Sequence, residues 1–474
     1  MRILLIYPPI ENEVSHISLQ EIDEERGFLP PLGLLYLATY LKKYSNFDVK
    51  IIDCNVDAIS HLDLPGSIID FHPDVVGISS MTHFLVDAYK VAATVKNISN
   101  KIITVVGGPH TTIYPVTTLE NPNIDYSIKG EGELAFYELV SALQKGVTEE
   151  GISSIKGIAT RFLVRKGTTD TDVELTRIPD LEALPIPDRT LLPYRKYYSV
   201  LSHSTNIATM ITTRGCPYRC IYCDRMGKKF RSTSADYVLN EIETILNLGI
   251  REIFFHDDTF NVDKKRVVDL CERILDKKLR FKWDARARVD CADYNQLLLM
   301  KRAGCSRISF GVESGNQDVL KKLRKGITLQ QVEKVFQWCK ELQINSLADF
   351  MIGSPGETMK EIQDTISFVK ELKPNYVQFS IVCPYPDTDL YRLCIKNKMV
   401  LEDVWLNFSR SPSVDFEPPI WNEHFSRYEL EKITRRLFKE FYLTPHFIFN
   451  ELKKLRSLKE FKIKIKAAIN LMHS

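Results

Sequence analysis

The 474-residue sequence predicts an α/β protein in two successive parts: a doubly wound parallel sheet, then a partial (β/α)6 barrel of the TIM type followed by a helical end. Three observations predict it. Short apolar runs alternate with helical patterns through the first 145 residues; the alternation lapses and resumes at Ile207; and the length exceeds what one ordinary core accommodates. The expected divisions are 1–145, a connector at 146–205, a barrel at 206–400 and a helical extension at 401–474.

In the first division RILLIY, VKIID, DVVGISS, KIITVVGG and IDYSIKG read as strands. LGLLYLATYLKK, the segment from Phe84 to Ile98 and ELAFYELVSALQ read as helices between or after them. In an open parallel sheet ligands bind at the loops after strand carboxyl ends. Here those loops are YPPI, SSMTH, GGPH and KGEGE. The connector mixes polar, Gly and Pro residues, as in LEALPIPDRTLLP. In the barrel ATMITT, REIFFHD, FKWDARA, SRISFGVE, NSLADFMIG and NYVQFSIV are the strands, separated by patterns such as ADYVLNEIETILNLG and LQQVEKVFQWCKEL. Its site is expected at the strand carboxyl ends. The extension ends in ELKKLRSLKEFKIKIKAAINLM, where Leu452, Leu455, Leu458 and Phe461 suit packing on the barrel with lysines facing water. A membrane-surface or partner-docking helix is the alternative.

The net charge of +2 gives no global field pointing to nucleic acid or an acidic partner. No apolar run is long enough to cross a bilayer, and MRILLIYPPI reads as a first strand rather than a secretion signal. A cytoplasmic location is therefore expected. Of ten cysteines, seven are scattered singly and read as small buried hydrophobes. The other three fall in TTRGCPYRCIYCDR, after the first barrel strand.

That spacing, C-x3-C-x2-C, gathers thiolates at a range suited to zinc or iron–sulfur. A structural zinc site normally closes with four ligands. No His lies within a few residues of Cys216, Cys220 and Cys223 to be the fourth, so zinc would need a remote ligand. A four-iron cluster on three cysteines would leave one iron open.

The segment resembles the signature of the radical S-adenosylmethionine superfamily, in which an aromatic residue, here Tyr222, precedes the third cysteine. The resemblance implies a 4Fe–4S cluster on Cys216, Cys220 and Cys223, with S-adenosylmethionine bound through its amino and carboxylate groups and cleaved reductively to a 5′-deoxyadenosyl radical. It also implies an electron donor such as flavodoxin or ferredoxin. In HDDTFNVD, Asp257, Asp258 and Thr259 match the methionine contacts, although the Gly-Gly-Glu form of many members is absent. Glu313 and Ser314 of SFGVESGN match the ribose motif, and Gly353, Pro355 and Gly356 of MIGSPGET match the adenine motif.

The first division resembles the flavodoxin-like cobalamin-binding domains fused to such enzymes, through PPLGLLYLATYL, DVVGISSMT, VVGGPHTTIYP and IKGEGE. Methylthiotransferases differ in having three further cysteines in the first domain, where this chain has only Cys54. The residues expected at cobalamin are Ser79, Met81, Thr82, Gly107, Gly108, Pro109, His110, Gly130, Glu131 and Gly132. Gly107 and Gly108 would let the backbone approach the nucleotide tail, and Gly130, Glu131 and Gly132 form a turn at the fifth strand end. The Asp-x-His-x-x-Gly motif of cobalt-ligating domains is missing after the first strand; DFHPDV has Asp70 and His72 but Val75 in place of Gly. Cobalamin without a protein ligand to cobalt is therefore implied, with His110 lining the nucleotide tail.

Together these resemblances imply an enzyme that methylates an unactivated carbon, or phosphorus, of a small-molecule or lipid-like substrate. One alternative resembles the anaerobic cyclase of bacteriochlorophyll synthesis. Another is a cobalamin-binding sensor or scaffold without turnover, which the intact cysteine triad disfavours. CPYPDTDLY, at 383–391, and the aromatic extension are expected to shape the substrate side.

Overall fold

The computed structural model describes residues 1–14, 27–199, 202, 206–224, 229–445 and 447–448. The chain forms two compact units: residues 1–14, 30–197 and 402–417 in the first, and 15–29, 198–401 and 418–474 in the second.

The first unit is built on strands β1 (Arg2–Tyr7), β2 (Asp48–Asp53), β3 (Val75–Ser79), β4 (Ile103–Gly107), β5 (Tyr126–Ile128) and β6 (Ile158–Thr160), in spatial order β2-β1-β3-β4-β5-β6. The first five are parallel. The central β1 is apolar on both faces, with Ile3, Leu4, Leu5 and Ile6 wholly buried, as a strand covered on both sides must be. Helices α1 (Leu32–Tyr44), α2 (Leu64–Phe71), α3 (Leu85–Ile98) and α4 (Gly132–Gln144) supply that cover, α1 packing with α4 and α2 with α3.

The expected boundary at 145 is not where this unit ends. After α4 the chain adds β6 antiparallel to β5. Thr176 then bridges to Gly130, and Tyr197 is buried with its hydroxyl on Asp53 Oδ2 at 2.9 Å. Polar, Pro-rich sequence hid a segment whose buried apolar anchors, among them Ile158, Ile178, Leu181, Leu184 and Leu192, are spaced without a helical or strand period and are joined by these hydrogen bonds. The extension also divides. Residues 402–417 belong to the first unit, where helix α10 (Val404–Arg410) carries Ser409 to Tyr89 and His110.

The second unit has six parallel strands in sequential order: β7 (Ala208–Met210), β8 (Glu252–Phe255), β9 (Lys282–Ala287), β10 (Cys305–Glu313), β11 (Asn345–Ile352) and β12 (Tyr376–Ile381). The intervening helices include α5 (Ala235–Asn247), α6 (Lys264–Asp276), α7 (Tyr294–Arg302), α8 (Leu329–Glu341) and α9 (Met359–Leu372). Capping boxes start α8 at Thr328/Gln331 and α9 at Thr358/Glu361. Strict alternation of buried and half-buried residues along β11 and β12 puts one face against helices and leaves the other facing the barrel interior. Helix α11 (Arg427–Tyr442) covers β12: Tyr442 bonds both the N–H and the C=O of Val377, and Phe438 meets Phe379 edge-on at 5.4 Å. Leu452 to Phe461 lie outside the described residues. Among the described residues no helix is long and apolar enough to cross a membrane.

Candidate functional site

The cysteine segment leaves the carboxyl end of β7, passes through a short ribbon of Thr213–Arg214 against Arg231–Ser232, and lies where an α/β barrel carries its chemistry. Cys220 is buried, Cys216 half-buried and Cys223 exposed at the loop surface. Even so, partial desolvation of the Cys223 sulfur, with Cys220, Asp258 and Cys216 nearby, pushes its thiol up to about 12. The three thiols thus lie within electrostatic reach of one another. Among the described residues, no three His, Cys, Asp or Glu side chains form a cage for a single ion. Three neighbouring thiols on one loop, soft donors that among the described residues form no closed four-ligand cage, fit an iron–sulfur cluster better than a closed zinc site.

Asp257 holds the start of this loop. It is fully buried at the end of β8, and Oδ1 accepts from the N–H groups of Thr212 (2.6 Å) and Thr213 (2.8 Å). Oδ2 accepts from the Thr212 hydroxyl at 2.6 Å, with Arg266 at 3.8 Å. Its neighbour Asp258 is exposed, and buried Thr259 brings Oγ1 to 3.7 Å from Cys216 Sγ. Of the three, Asp257 works inward, on the chain itself.

The β10 and β11 motifs show the same division. Glu313, at a left-handed φ of 72°, accepts from Lys325 Nζ at 2.7 Å and from the Tyr222 hydroxyl at 2.9 Å, so the aromatic residue of the cysteine motif is tied to β10. Ser314 is buried against Thr365, Oγ to Oγ1 at 3.3 Å. In the β11 loop Gly353 has φ 81°, and an added Cβ would stand 2.9 Å from Leu430. Pro355 is half-buried beside it, and the Gly356 N–H donates to Glu423 at 2.7 Å. Glu357 Oε2 accepts from the N–H groups of Gly353 (2.7 Å) and Ser354 (3.0 Å), while Glu357 Oε1 and Ser354 Oγ are buried without a hydrogen-bond partner. Burial pushes the Glu357 carboxyl up to about 7. Unpaired polar atoms in a tight Gly-Pro-Gly loop are what a polar ligand would satisfy.

In the first unit the loops after β3, β4 and β5 assemble Ser79, Met81, Thr82, Gly107, Gly108, Pro109, His110, Gly130, Glu131 and Gly132. Two of the glycines serve the chain rather than a ligand. At Gly108 (φ 127°) a Cβ would fall 2.5 Å from the Ser80 carbonyl oxygen, and at Gly130 (φ 99°) 2.5 Å from that of Thr176. Glu131 is likewise occupied, accepting from the Ile178 N–H at 2.5 Å. His110 is wholly buried, its ring nitrogens engaged by Thr82 Oγ1 (3.2 Å) and Ser409 Oγ (3.0 Å), and burial pushes its pKa down to about 3. Exposed His72 turns the end of α2 in the left-handed conformation. What remains fits a cobalamin tail. The Ser80 hydroxyl is fully buried and unpartnered, and a Cβ on Gly107 would meet only Ile128, at 3.8 Å.

Four residues at these sites carry no motif that would reveal them. Arg288, Cys291 and Lys325 reach the cysteine loop from barrel loops far along the chain, and Ser409 reaches His110 from α10. Cys291, expected to be an inert buried thiol, lies 2.7 Å from the Tyr218 hydroxyl.

A family model described as the Radical SAM superfamily matches residues 210–369, and one described as the B12 binding domain matches residues 23–140. An uncharacterized methyltransferase, PH0819, from Pyrococcus horikoshii is 35% identical over 95% of each chain. The anaerobic magnesium-protoporphyrin IX monomethyl ester cyclase of Rubrivivax gelatinosus is 27% identical over 83% of this chain and 70% of its own. Among solved structures, the cobalamin-dependent S-adenosylmethionine radical enzyme OxsB, with aqua-cobalamin and S-adenosylmethionine bound, superposes with a TM-score of 0.73. That match is 18% identical and covers 99% of this chain and 72% of the other.

Proposed function

The chain belongs to the radical S-adenosylmethionine superfamily, among the members that carry a B12 binding domain, and we propose that it is a methyltransferase acting on an unactivated carbon or phosphorus centre of a small molecule. The observation that carries methyl transfer is the 35% match, along nearly all of both chains, to a protein named as a methyltransferase.

Cys216, Cys220 and Cys223 would hold a 4Fe–4S cluster; Asp258, Thr259 and the Gly353–Glu357 loop would hold S-adenosylmethionine; Ser79–Thr82, Gly107 and Pro109 would receive cobalamin. When bound, these groups supply an organic radical that removes a substrate hydrogen and a methyl group for the carbon or phosphorus left behind. The protein's own residues orient and enclose. Asp257 fixes the backbone from which the cysteine loop departs, and Glu313 with Lys325 fixes Tyr222 beside the second and third cysteines. The Glu357 carboxyl shapes the Gly353–Ser354 turn by accepting two N–H groups. A small flavodoxin or ferredoxin would deliver the electron in a reducing cytoplasm, where the seven cysteines outside the cluster loop stay as thiols.

The test is the product balance of anaerobically reconstituted protein given S-adenosylmethionine labelled in its methyl group, a reductant and candidate acceptors. S-adenosylhomocysteine together with 5′-deoxyadenosine, and label in the acceptor, is expected. 5′-Deoxyadenosine alone would replace methyl transfer with the cyclase-type reaction of the 27% relative, and neither product would leave a binding protein.

A further inference from the structure

The best-defined feature around the cysteine loop is a buried cation that no sequence motif announces. Arg288 lies just past β9 and is 5% exposed. Its backbone is locked on both sides by buried Asn261, whose Oδ1 accepts the Arg288 N–H (3.0 Å) and whose Nδ2 donates to the Arg288 carbonyl (2.9 Å). Nε and Nη2 form a fork on Asp290, at 2.9 and 3.0 Å, and Nη2 also donates to the Lys325 carbonyl at 2.6 Å. That leaves Nη1, which points at Cys220 Sγ from 3.9 Å. The guanidinium plane lies over the Tyr218 ring, 3.6 Å from its centroid, and the Tyr218 hydroxyl is anchored at Cys291. Tyr218 and Cys220 both belong to the cysteine loop. One side chain therefore touches the loop twice and is itself tied to two barrel loops.

We propose that Arg288 is a positioning residue for the cysteine loop and the group that sets the reduction potential of the cluster held there. The inference rests on the cluster ligation proposed above. Reduction adds one negative charge to the cluster, which a guanidinium beside a ligand sulfur favours. Hydrogen bonds to ligand sulfurs and nearby charge are among the terms that set such potentials. Only arginine supplies a carboxylate fork, a further donor to sulfur and a stacking face at once. Asp290 opposes the effect by compensating part of the charge while keeping the fork in place. Arg288 and Asp290 thus act on the potential with opposite signs.

The test is an electron paramagnetic resonance redox titration of the reconstituted holoprotein, without substrate, with iron and sulfide measured on each sample. R288M keeps an unbranched, polarizable chain against Tyr218 but removes the charge and the donor. Its midpoint is expected to move negative by at least the equivalent of an about tenfold change in the oxidised-to-reduced ratio, about 59 mV for one electron. D290N leaves the guanidinium uncompensated and is expected to move the midpoint positive. A passive strut would disturb the loop in both variants without this reversal of sign. An unchanged midpoint in R288M with full iron overturns the proposal. If R288M holds no cluster, D290N decides: a positive shift supports the assignment, and no shift or a negative one ends it. Wild-type protein that takes up no iron and sulfide would instead reject the ligation reading itself, and the tuning role with it.

Discussion

Replacing Asp257 with Asn separates a structural carboxylate from a ligand-binding one. The side chain is fully buried, and both oxygens are occupied by protein groups: two backbone N–H donors on Oδ1, the Thr212 hydroxyl and nearby Arg266 on Oδ2. The amide of D257N can keep Oδ1 as an acceptor. Its NH2 group then faces a Thr212 hydroxyl oxygen that already accepts from Arg266 Nη1 at 2.9 Å. A hydrogen bond to a charged acceptor is lost, about 1.5–3 kcal/mol. Arg266, itself buried, loses its contacting carboxylate, and removing one partner of a buried pair costs about 3–5 kcal/mol. The two losses overlap in one network, so about 4 kcal/mol is expected rather than their sum. For a unit of this size each kcal/mol moves the midpoint by about 2–4 °C, and the barrel transition should fall by about 10 °C. Scanning calorimetry of the metal-free, ligand-free protein at a fixed scan rate measures it. If D257N melts within about 2 °C of wild type and loses only S-adenosylmethionine affinity, Asp257 is a ligand contact and the reasoning from its internal bonds is refuted.

Replacing Cys216, Cys220 or Cys223 singly with Ala should abolish stoichiometric iron and sulfide uptake, and a full cluster in all three variants would remove them as ligands. Gly108→Ala places a methyl 2.5 Å from the Ser80 carbonyl oxygen at φ 127°, and should destabilise the first unit by about 1–3 kcal/mol or more and weaken cobalamin binding; equilibrium titration of hydroxocobalamin reads the second effect. Cobalamin in the Co(II) state should show no histidine nitrogen coupling in its electron paramagnetic resonance spectrum, since both His110 ring nitrogens are engaged; coupling lost in a His110 variant would contradict this. Glu357, pushed up to about 7 in the folded protein, holds a proton that the unfolded chain releases near its ordinary value of 4.5. Its stabilising contribution is therefore full below about pH 4.5 and lost as pH rises through about 7, at about 1.4 kcal/mol per pH unit at most. Urea denaturation across that window should show a decline that E357Q lacks.

Strand-length apolar runs and turn residues are local properties, and they made the five parallel strands of the first unit and the six of the barrel legible in the sequence. The cysteine spacing is equally local, because one loop must present all three thiols. Those features determined the fold class and a thiophilic loop; the radical S-adenosylmethionine and cobalamin chemistry followed from the resemblance of the loop motifs to known families. The tertiary structure alone decided where the chain doubles back and which polar groups meet. It made 146–197 part of the first unit, with β6 as an antiparallel sixth strand, and returned 402–417 so that Ser409 reaches His110. It turned Asp257, Gly108 and Glu131 toward the protein's own backbone, although their motifs suggested ligand contacts. It also brought Arg288 to Cys220 across 68 positions of sequence. Periodicity along a chain reports which side of an element is buried; it carries no information about the partner that a buried charge or glycine will find, because loops distant in sequence choose that partner only when the strands beneath them pair.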